Sequence, residues 1–357
     1  MLKLAKISKT WGAFAHREVS FEVAAGEFFV LLGPSGAGKS LLLEIIAGFA
    51  RPDSGRIFLN GRDVTDLAPE RRSVGLVYQD LMLFPHMSVR GNIAYGPRSR
   101  GFDRTKIDER VGGLAESLEI ADCLDCFPAA LSVGQKQRAA LARALATEPA
   151  VLLLDEPFSS LDVPLRMSLW KELAALHRRI GLTVLHVTHD RSEAIALGER
   201  IGVMRDGRIE EVGERESVFD RPQSNFVAEF TGGTNIYEGM AAPEGNLTIF
   251  RSGALRLVST ASFSGPCRAL VRPENIIIAR EAGTTSARNR LRAVVETVER
   301  SGGLYEVAVR ADGKPVTAVV TPQSVEELEL APGAAVYLYF KAGAVHLFRD
   351  GEEGGTE

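Results

Sequence analysis

The sequence predicts an α/β domain with a helical insertion, followed by a small all-β domain. Three observations predict it. A glycine-rich turn at residues 33–40, GPSGAGKS, joins the apolar run Phe28-Phe29-Val30-Leu31-Leu32 to the helical segment Leu41-Leu42-Leu43-Glu44-Ile45-Ile46-Ala47-Gly48. Further apolar runs, Val151-Leu152-Leu153-Leu154 and Thr183-Val184-Leu185-His186-Val187-Thr188, alternate with helical stretches. Strands apolar on both faces belong to a parallel sheet flanked by helices. Beyond Phe230 come short alternating runs separated by turn residues, the pattern of a small OB-like barrel.

Taken in order, Leu2–Leu4 and Phe21–Val23 alternate with period two, as strands do. Trp11 lies between them. An aromatic just ahead of a nucleotide-binding loop can stack on a base, although a core tryptophan is the commoner case. The turn at 33–40 has the spacing of a phosphate-binding loop, so the first domain is read as a P-loop nucleotide-binding domain. Its glycines let backbone N–H groups crowd inward, and the following helix adds partial positive charge. Lys39 is placed to reach the β/γ-phosphates and Ser40 to hold Mg²⁺. Gly48 stops the helix.

Residues 56–61 read as a strand ending in the turn Asn60-Gly61. Residues 74–79 form another, closing on the polar Gln79. From Asp80 the pattern changes to an apolar loop at residues 81–87 and a charged helix from Asp103 to Leu118, a helical insertion over about residues 80–135. Ala139 to Ala146 reads as a short helix ended by Pro149, and Leu169 to Ile180 as a longer one. Ile201–Met204 is a further strand. Such a doubly wound domain binds its ligand at the C-terminal ends of its strands. Residues 231–234 read as a linker, which sets a boundary at 232/233. Strands follow at 269–272, 276–278, 305–309 and 335–340. The acidic, glycine-rich tail 350–357 reads as frayed.

At 357 residues the chain has room for about two domains. A hydrophobic fraction of 45% and a charged fraction of 25% are those of a soluble globular protein. A net charge of −4 gives no reason to expect a nucleic-acid partner. No apolar run approaches the roughly 18–20 residues needed to span a bilayer, and the first residues lack a signal-peptide core. The expectation is a cytosolic protein that meets the membrane through a partner. Three cysteines argue against a disulfide framework. Cys123 and Cys126 form a C-x-x-C at a helix end and read as packing residues, because a zinc site needs about four ligands.

Asp155 and Glu156 close a buried strand. Asp155 is placed to hold Mg²⁺ and Glu156 to orient and deprotonate the attacking water. Gln79 would sense Mg²⁺ and the γ-phosphate, and His189, at another strand end, could hydrogen-bond the γ-phosphate. His186 reads as structural. Residues 131–138, LSVGQKQR, place Ser132 and Gly134 at a helix start, a second anion-binding edge. One chain rarely needs two such edges unless one serves a neighbouring subunit.

With these motifs in this order, residues 1 to about 230 resemble the nucleotide-binding subunit of an ABC transporter. The resemblance rests on the phosphate loop, Gln79, the signature Leu131–Gln135, Asp155-Glu156, Ser160-Leu161-Asp162 and His189. It implies a head-to-tail homodimer. ATP would lie between Gly33, Pro34, Ser35, Gly36, Ala37, Gly38, Lys39, Ser40 and Leu41 of one copy and Ser132, Gly134 and Gln135 of the other. Trp11 would stack on adenine. Ser40, Gln79 and Asp155 would hold Mg²⁺. Glu156 would be the general base, His189 the γ-phosphate contact and Asp162 a residue of the ATP site that communicates across the dimer. Two transmembrane permease subunits would dock a coupling helix against Gln79 and residues 83–86, at the cytoplasmic face of the membrane. An external solute-binding protein would act through the permease. Val133 replaces the first signature glycine, which crowds that edge; activity is expected to survive.

Residues 286–291, SARNRL, resemble the opening of the TOBE-type molybdate/tungstate-binding barrel of oxyanion importers, and the likeness runs on to about residue 348. It implies oxyanion contacts from Ser286, Arg288, Asn289 and Lys341. Gly343 stands where the family often has Ser or Thr. The alternative is a barrel that only packs or dimerises. Residues 271–274, VRPE, also occur in sugar, polyamine and sulfate importers. The reading is the ATPase of an oxyanion importer, for molybdate or tungstate, whose cycle is slowed by oxyanion in the barrel. The alternatives are an importer ATPase for sulfate, polyamine, iron or sugar, and a soluble ABC ATPase without transport.

Overall fold

A computed structural model of the chain describes residues 1–159 and 161–349; the expectations for Ser160 and the tail 350–357 fall outside them. The chain divides into two compact units, Met1–Arg215 and Glu216–Glu357.

The first unit holds two sheets. Strands β1 (Leu2–Trp11), β2 (Phe14–Val23), β4 (Ser54–Leu59) and β5 (Arg62–Asp63) form an antiparallel sheet in the order β2-β1-β4-β5. Asn60 and Gly61 both have positive φ in the β4–β5 turn, as the Asn-Gly pair predicts. The second sheet runs β10-β9-β3-β8-β7-β6, built from β3 (Phe28–Leu32), β6 (Val74–Val77), β7 (Val151–Asp155), β8 (Val184–Thr188), β9 (Arg200–Arg205) and β10 (Arg208–Glu214). It is parallel from β9 to β6, with β10 antiparallel at one edge.

Every residue of β3, β7 and β8 is buried. One face, with Phe29, Leu31, Leu153, Leu185 and Val187, packs in a single core with helix α1 (Lys39–Ala47) and the inner face of the antiparallel sheet. The apolar run of α1 buries Leu42, Leu43, Ile45 and Ile46 together, so the phosphate loop ahead of it is anchored from both sides. Gly48 ends α1 in the left-handed region at φ 93°. On the other face His186 meets Glu193 at 3.0 Å, the structural role expected of it.

Between β6 and β7 lies the helical insertion. It contains α2 (Val89–Ser99), α3 (Arg104–Ser117) and α4 (Val133–Leu145), which leads back to β7. Helix α2 was not anticipated, because Gly91, Gly96 and Pro97 break its apolar pattern; Ser88 caps it by accepting from the Gly91 N–H. Helix α4 starts at Val133 rather than Ala139, because Ser132 and Gln135 supply a capping box. Helix α5 (Val163–Ile180) likewise starts ahead of the expected Leu169, capped by Asp162. Helix α6 (Arg191–Leu197) follows β8.

The second unit begins ahead of the expected 232/233 boundary. Helix α7 (Arg215–Asp220) leads into it and α8 (Asn225–Phe230) packs there: Ala228 lies against Leu270 and Phe348, and Arg272 donates to the Thr231 carbonyl at 2.9 Å. The rest is all-β apart from α9 (Pro322–Glu327) and short turns. Strands β11 (Asn235–Glu244), β12 (Leu247–Ser252), β13 (Leu255–Ser259), β14 (Gly265–Val271) and β20 (Val345–Phe348) make a sheet ordered β13-β12-β11-β14-β20. Strands β15 (Ile277–Ala279), β16 (Asn289–Ser301), β17 (Leu304–Ala311), β18 (Lys314–Val320) and β19 (Ala335–Phe340) make another, ordered β15-β19-β16-β17-β18. All pairings are antiparallel, and both sheets contribute to one apolar core.

Candidate active site

The strand order sets four neighbouring strand ends in a row. Gly33 follows β3, His189 lies just past β8, Glu156 follows β7 and Gln79 lies just past β6. The loop itself is tightly built. A Cβ on Gly33 would stand 2.3 Å from the Met204 carbonyl oxygen. Gly38, at φ 96°, is the N-cap of α1, and a Cβ there would stand 2.3 Å from the Phe14 ring. No side chain caps α1, which leaves its first N–H groups to a ligand. Ser35 and Gly36 are exposed at the tip, Ala37 is buried, and Leu41 lies in the first turn of α1 behind them.

Lys39 is buried and folds back over the loop. Its ammonium donates to the carbonyls of Gly33 at 2.8 Å and Pro34 at 3.0 Å, and lies 3.7 Å from a Glu156 oxygen. Burial lowers its pKa, and the Glu156 and Asp155 carboxylates push it back up. The Ser40 hydroxyl donates to Asp155 at 2.7 Å. Burial raises the Asp155 pKa, while the Ser40 bond opposes the rise. Glu156 sits at φ 43°, a conformation that costs a non-glycine residue and turns its carboxylate out of the strand. The other Glu156 oxygen meets His189 Nδ1 at 2.8 Å. So Lys39, Ser40, Asp155, Glu156 and His189 form one contiguous set. Gln79 is exposed at the neighbouring strand end.

Trp11 is half-buried at the end of β1, packed against the edge of the core and bonded toward the loop. Its indole N–H donates to His16 Nδ1 at 3.2 Å, and His16 Nε2 lies 2.9 Å from the Gly38 carbonyl.

Ser132, Gly134 and Gln135 stand together at the start of α4. Ser132 Oγ accepts from the Gln135 N–H at 3.3 Å and Gln135 Oε1 accepts from the Ser132 N–H at 2.9 Å. Gln135 Nε2 donates to Cys123 Sγ at 3.1 Å. Val133 is 48% exposed, so its side chain stands clear of the helix body. Asp162 accepts from the Leu165 N–H at 3.0 Å, a capping role that sequence reasoning missed. Arg143 and Asn92 were missed as well. Arg143, on α4, donates to the carbonyls of Met82 and Leu81 and lies over the Phe84 ring. Leu81 and Met82 both have positive φ, so this cation fixes a strained loop just after Gln79. Buried Asn92 accepts from the Phe84 N–H at 2.8 Å. The one sequence signal for Arg143 was a cation inside the alanine-rich helix; Asn92 had none, since the pattern of α2 is broken.

In the second unit a cleft of about 1160 Å³ is lined by Ser286, Lys341, Arg221, Arg272 and His346, with the acids Asp220 and Glu274 also on its wall. Burial, together with the nearby Arg221 and Arg272, lowers the His346 pKa against the opposing pull of the Pro222 carbonyl. One of the four expected oxyanion residues, Asn289, is corrected, and a second, Arg288, lies apart from the cleft. Asn289 is buried and both ends of its amide bind the backbone of Val258, at 2.7 and 2.9 Å, tying β16 to β13. Arg288 is exposed and outside the cleft lining. Gly343 does line the cleft, and a Cβ there would stand 3.8 Å from the Thr260 hydroxyl.

What this fold and this row of side chains define is an ATP-binding cassette. The ABC transporter family profile matches residues 16–159 and the TOBE domain profile residues 285–347. A molybdate/tungstate import ATP-binding protein of Pyrococcus horikoshii is 44% identical over 348 residues, covering 98% of this chain and 100% of its own. One of Thermococcus kodakarensis is 46% identical over 315 residues, covering 88% and 94%. The structure of cbiO1 from Clostridium perfringens, part of an ABC transporter complex, superposes with a TM-score of 0.56 at 29% identity over 61% of this chain and 90% of that one. A dimeric ATP-binding cassette in a post-hydrolysis state, bound to ADP and Pi, gives 0.54 at 30% identity over 60% and 99%. The chain belongs to the ATP-binding proteins of ABC transporters, with a TOBE domain in its second unit.

Proposed function

We propose that this chain hydrolyses ATP to drive an ABC importer for an oxyanion, molybdate or tungstate. The observation that carries the hydrolytic half is the contact set around Glu156, shared between Lys39 and His189 at the end of β7. The phosphates lie on the open N-terminus of α1, and Lys39 turns from the loop carbonyls to meet them. Glu156 takes the proton of the attacking water, and His189 orients Glu156 and contacts the γ-phosphate.

Among the described residues no three His, Cys, Asp or Glu side chains are grouped to hold a metal. The Ser40 hydroxyl and Asp155 carboxylate, joined at 2.7 Å, offer instead the hard oxygen pair that magnesium takes together with phosphate oxygens. Gln79 completes that set from the next strand end. When bound, magnesium supplies charge neutralisation at the phosphates.

A homodimer places Ser132, Gly134 and Gln135 of one copy against the nucleotide of the other. Among the described residues no helix is long and apolar enough to cross a membrane. In the proposed importer two permease subunits carry the pathway. They take up the motion at Leu83, Phe84, Pro85 and His86, at the cytoplasmic face. An external binding protein delivers substrate to them. The oxyanion reading rests on the likeness to the molybdate/tungstate import proteins of Pyrococcus horikoshii and Thermococcus kodakarensis and on the basic cleft with Ser286 and Lys341. Thr260 offers the hydroxyl that Gly343 lacks. Calorimetry on the full chain with molybdate, tungstate and sulfate tests the regulatory part. Binding of the first two, reduced several-fold by Lys341→Ala, is expected; no binding of any anion contradicts it.

A further inference from the structure

We propose that His16 is a positioning residue for nucleotide binding, holding the Trp11 ring and the N-cap of α1 in one fixed relation. The inference rests on the reading of Trp11 as the adenine-stacking residue. An indole N–H can only donate, so the His16 Nδ1 that it meets at 3.2 Å must accept. The ring proton therefore sits on Nε2, which donates to the Gly38 carbonyl at 2.9 Å. That carbonyl also accepts from the Leu42 N–H at 3.0 Å, so it belongs to the first turn of α1. The imidazole is 1% exposed, and the Phe14 ring meets it edge-on at 5.2 Å between centroids. Burial favours the neutral ring that both bonds require.

One rigid ring thus connects the expected base-binding aromatic to the backbone atom where the phosphate cradle becomes a helix. Base and phosphates sit at opposite ends of a nucleotide. A spacer that fixes both contact points lowers the ordering cost of binding. Neither bond was visible in the sequence, where His16 has no motif around it.

The test is a double-mutant cycle on the full-length ATPase, read as KM and kcat for ATP. His16→Leu should raise KM roughly three- to tenfold, the range for about one net hydrogen bond, with kcat changing less than about twofold. His16→Asn, whose amide oxygen stands near the Nδ1 position but whose side chain is too short to reach Gly38, should recover only part of the loss. His16→Gln keeps a donor toward Gly38 but no acceptor for Trp11, and should show the raised KM even if His16→Leu fails to fold. In a Trp11→Phe background, the His16 substitutions should shift KM by less than about 1.5-fold, because coupled residues are not additive. Equal shifts in both backgrounds, or a lowered melting temperature with unchanged KM, would overturn the proposal. Trp11→Ala separates the two readings. If ATP affinity survives it, the stacking reading falls and the His16 proposal with it. If affinity drops but the cycle is additive, only the His16 proposal falls.

Discussion

Two helix N-termini in the first unit are candidates to hold the same nucleotide, and they are built in opposite ways. Helix α1 starts at Gly38 with no side-chain cap, its N–H groups open and a buried lysine folded over them. Helix α4 starts at Ser132 inside a reciprocal capping box, in which Ser132 Oγ holds the Gln135 N–H and Gln135 Oε1 holds the Ser132 N–H. An open end binds phosphate strongly by itself. A capped end must exchange an internal bond for an external one, so it contributes only when the ligand is presented with the right geometry. The contrast suits a site in which one copy holds ATP permanently and the other engages it only on closure.

The largest expected effect comes from the open end's chemistry. Glu156→Gln should bind ATP normally and turn over at least tenfold slower, given general-base losses of about 10²–10⁴. A turnover rate near that of the unaltered protein would break the role assigned to Glu156. Lys39→Ala should act on binding instead. Charge-assisted bonds of roughly 1.5–3 kcal/mol imply at least a tenfold weaker Kd for ATP by equilibrium titration. Wild-type affinity would mean that the open end does not receive the phosphates.

At the capped end the expected effect is smaller and of another kind. Ser132→Ala should lower stability by about 0.5–2 kcal/mol in a denaturant melt, as loss of an N-cap does. It should also leave the Kd for ATP of an isolated copy unchanged. An equally large loss of affinity in Ser132→Ala and Lys39→Ala would erase the distinction between the two ends.

The same contrast explains what was legible in the sequence. The phosphate loop is local: glycines, lysine and serine are contiguous, so both its fold and its place between β3 and α1 could be read from spacing. The Asp155-Glu156 pair was equally plain, since two acids close an otherwise apolar run. Caps were half-legible. Ser132 and Gln135 carry the S-x-x-Q pattern, which reads as an anion edge at a helix start, while the alanine-rich run alone places the helix body at Ala139, six residues late. Asp162 was likewise read only for its place in the dimer.

What spacing could not show were contacts made by lone polar residues across long stretches of chain. The His16 ring bonded to Gly38, the Arg143 cation beneath Leu81 and Met82, and the Asn289 amide on the Val258 backbone are of this kind. Asn289 is the instructive error. Its place in the SARN segment resembles an anion contact, yet at 2% exposure a side-chain amide must first satisfy its own hydrogen bonds, and the neighbouring strand supplied them.

The most direct measurement is amide hydrogen exchange across both helix starts in the Glu156→Gln protein, with and without saturating ATP and magnesium. ATP is predicted to slow exchange in residues 33–41 and, in the same sample, at the first turn of α4 from Val133 to Lys136. The slowing at α4 should disappear on dilution while that at the loop persists. Protection confined to residues 33–41 at every protein concentration would contradict a nucleotide shared between the two ends.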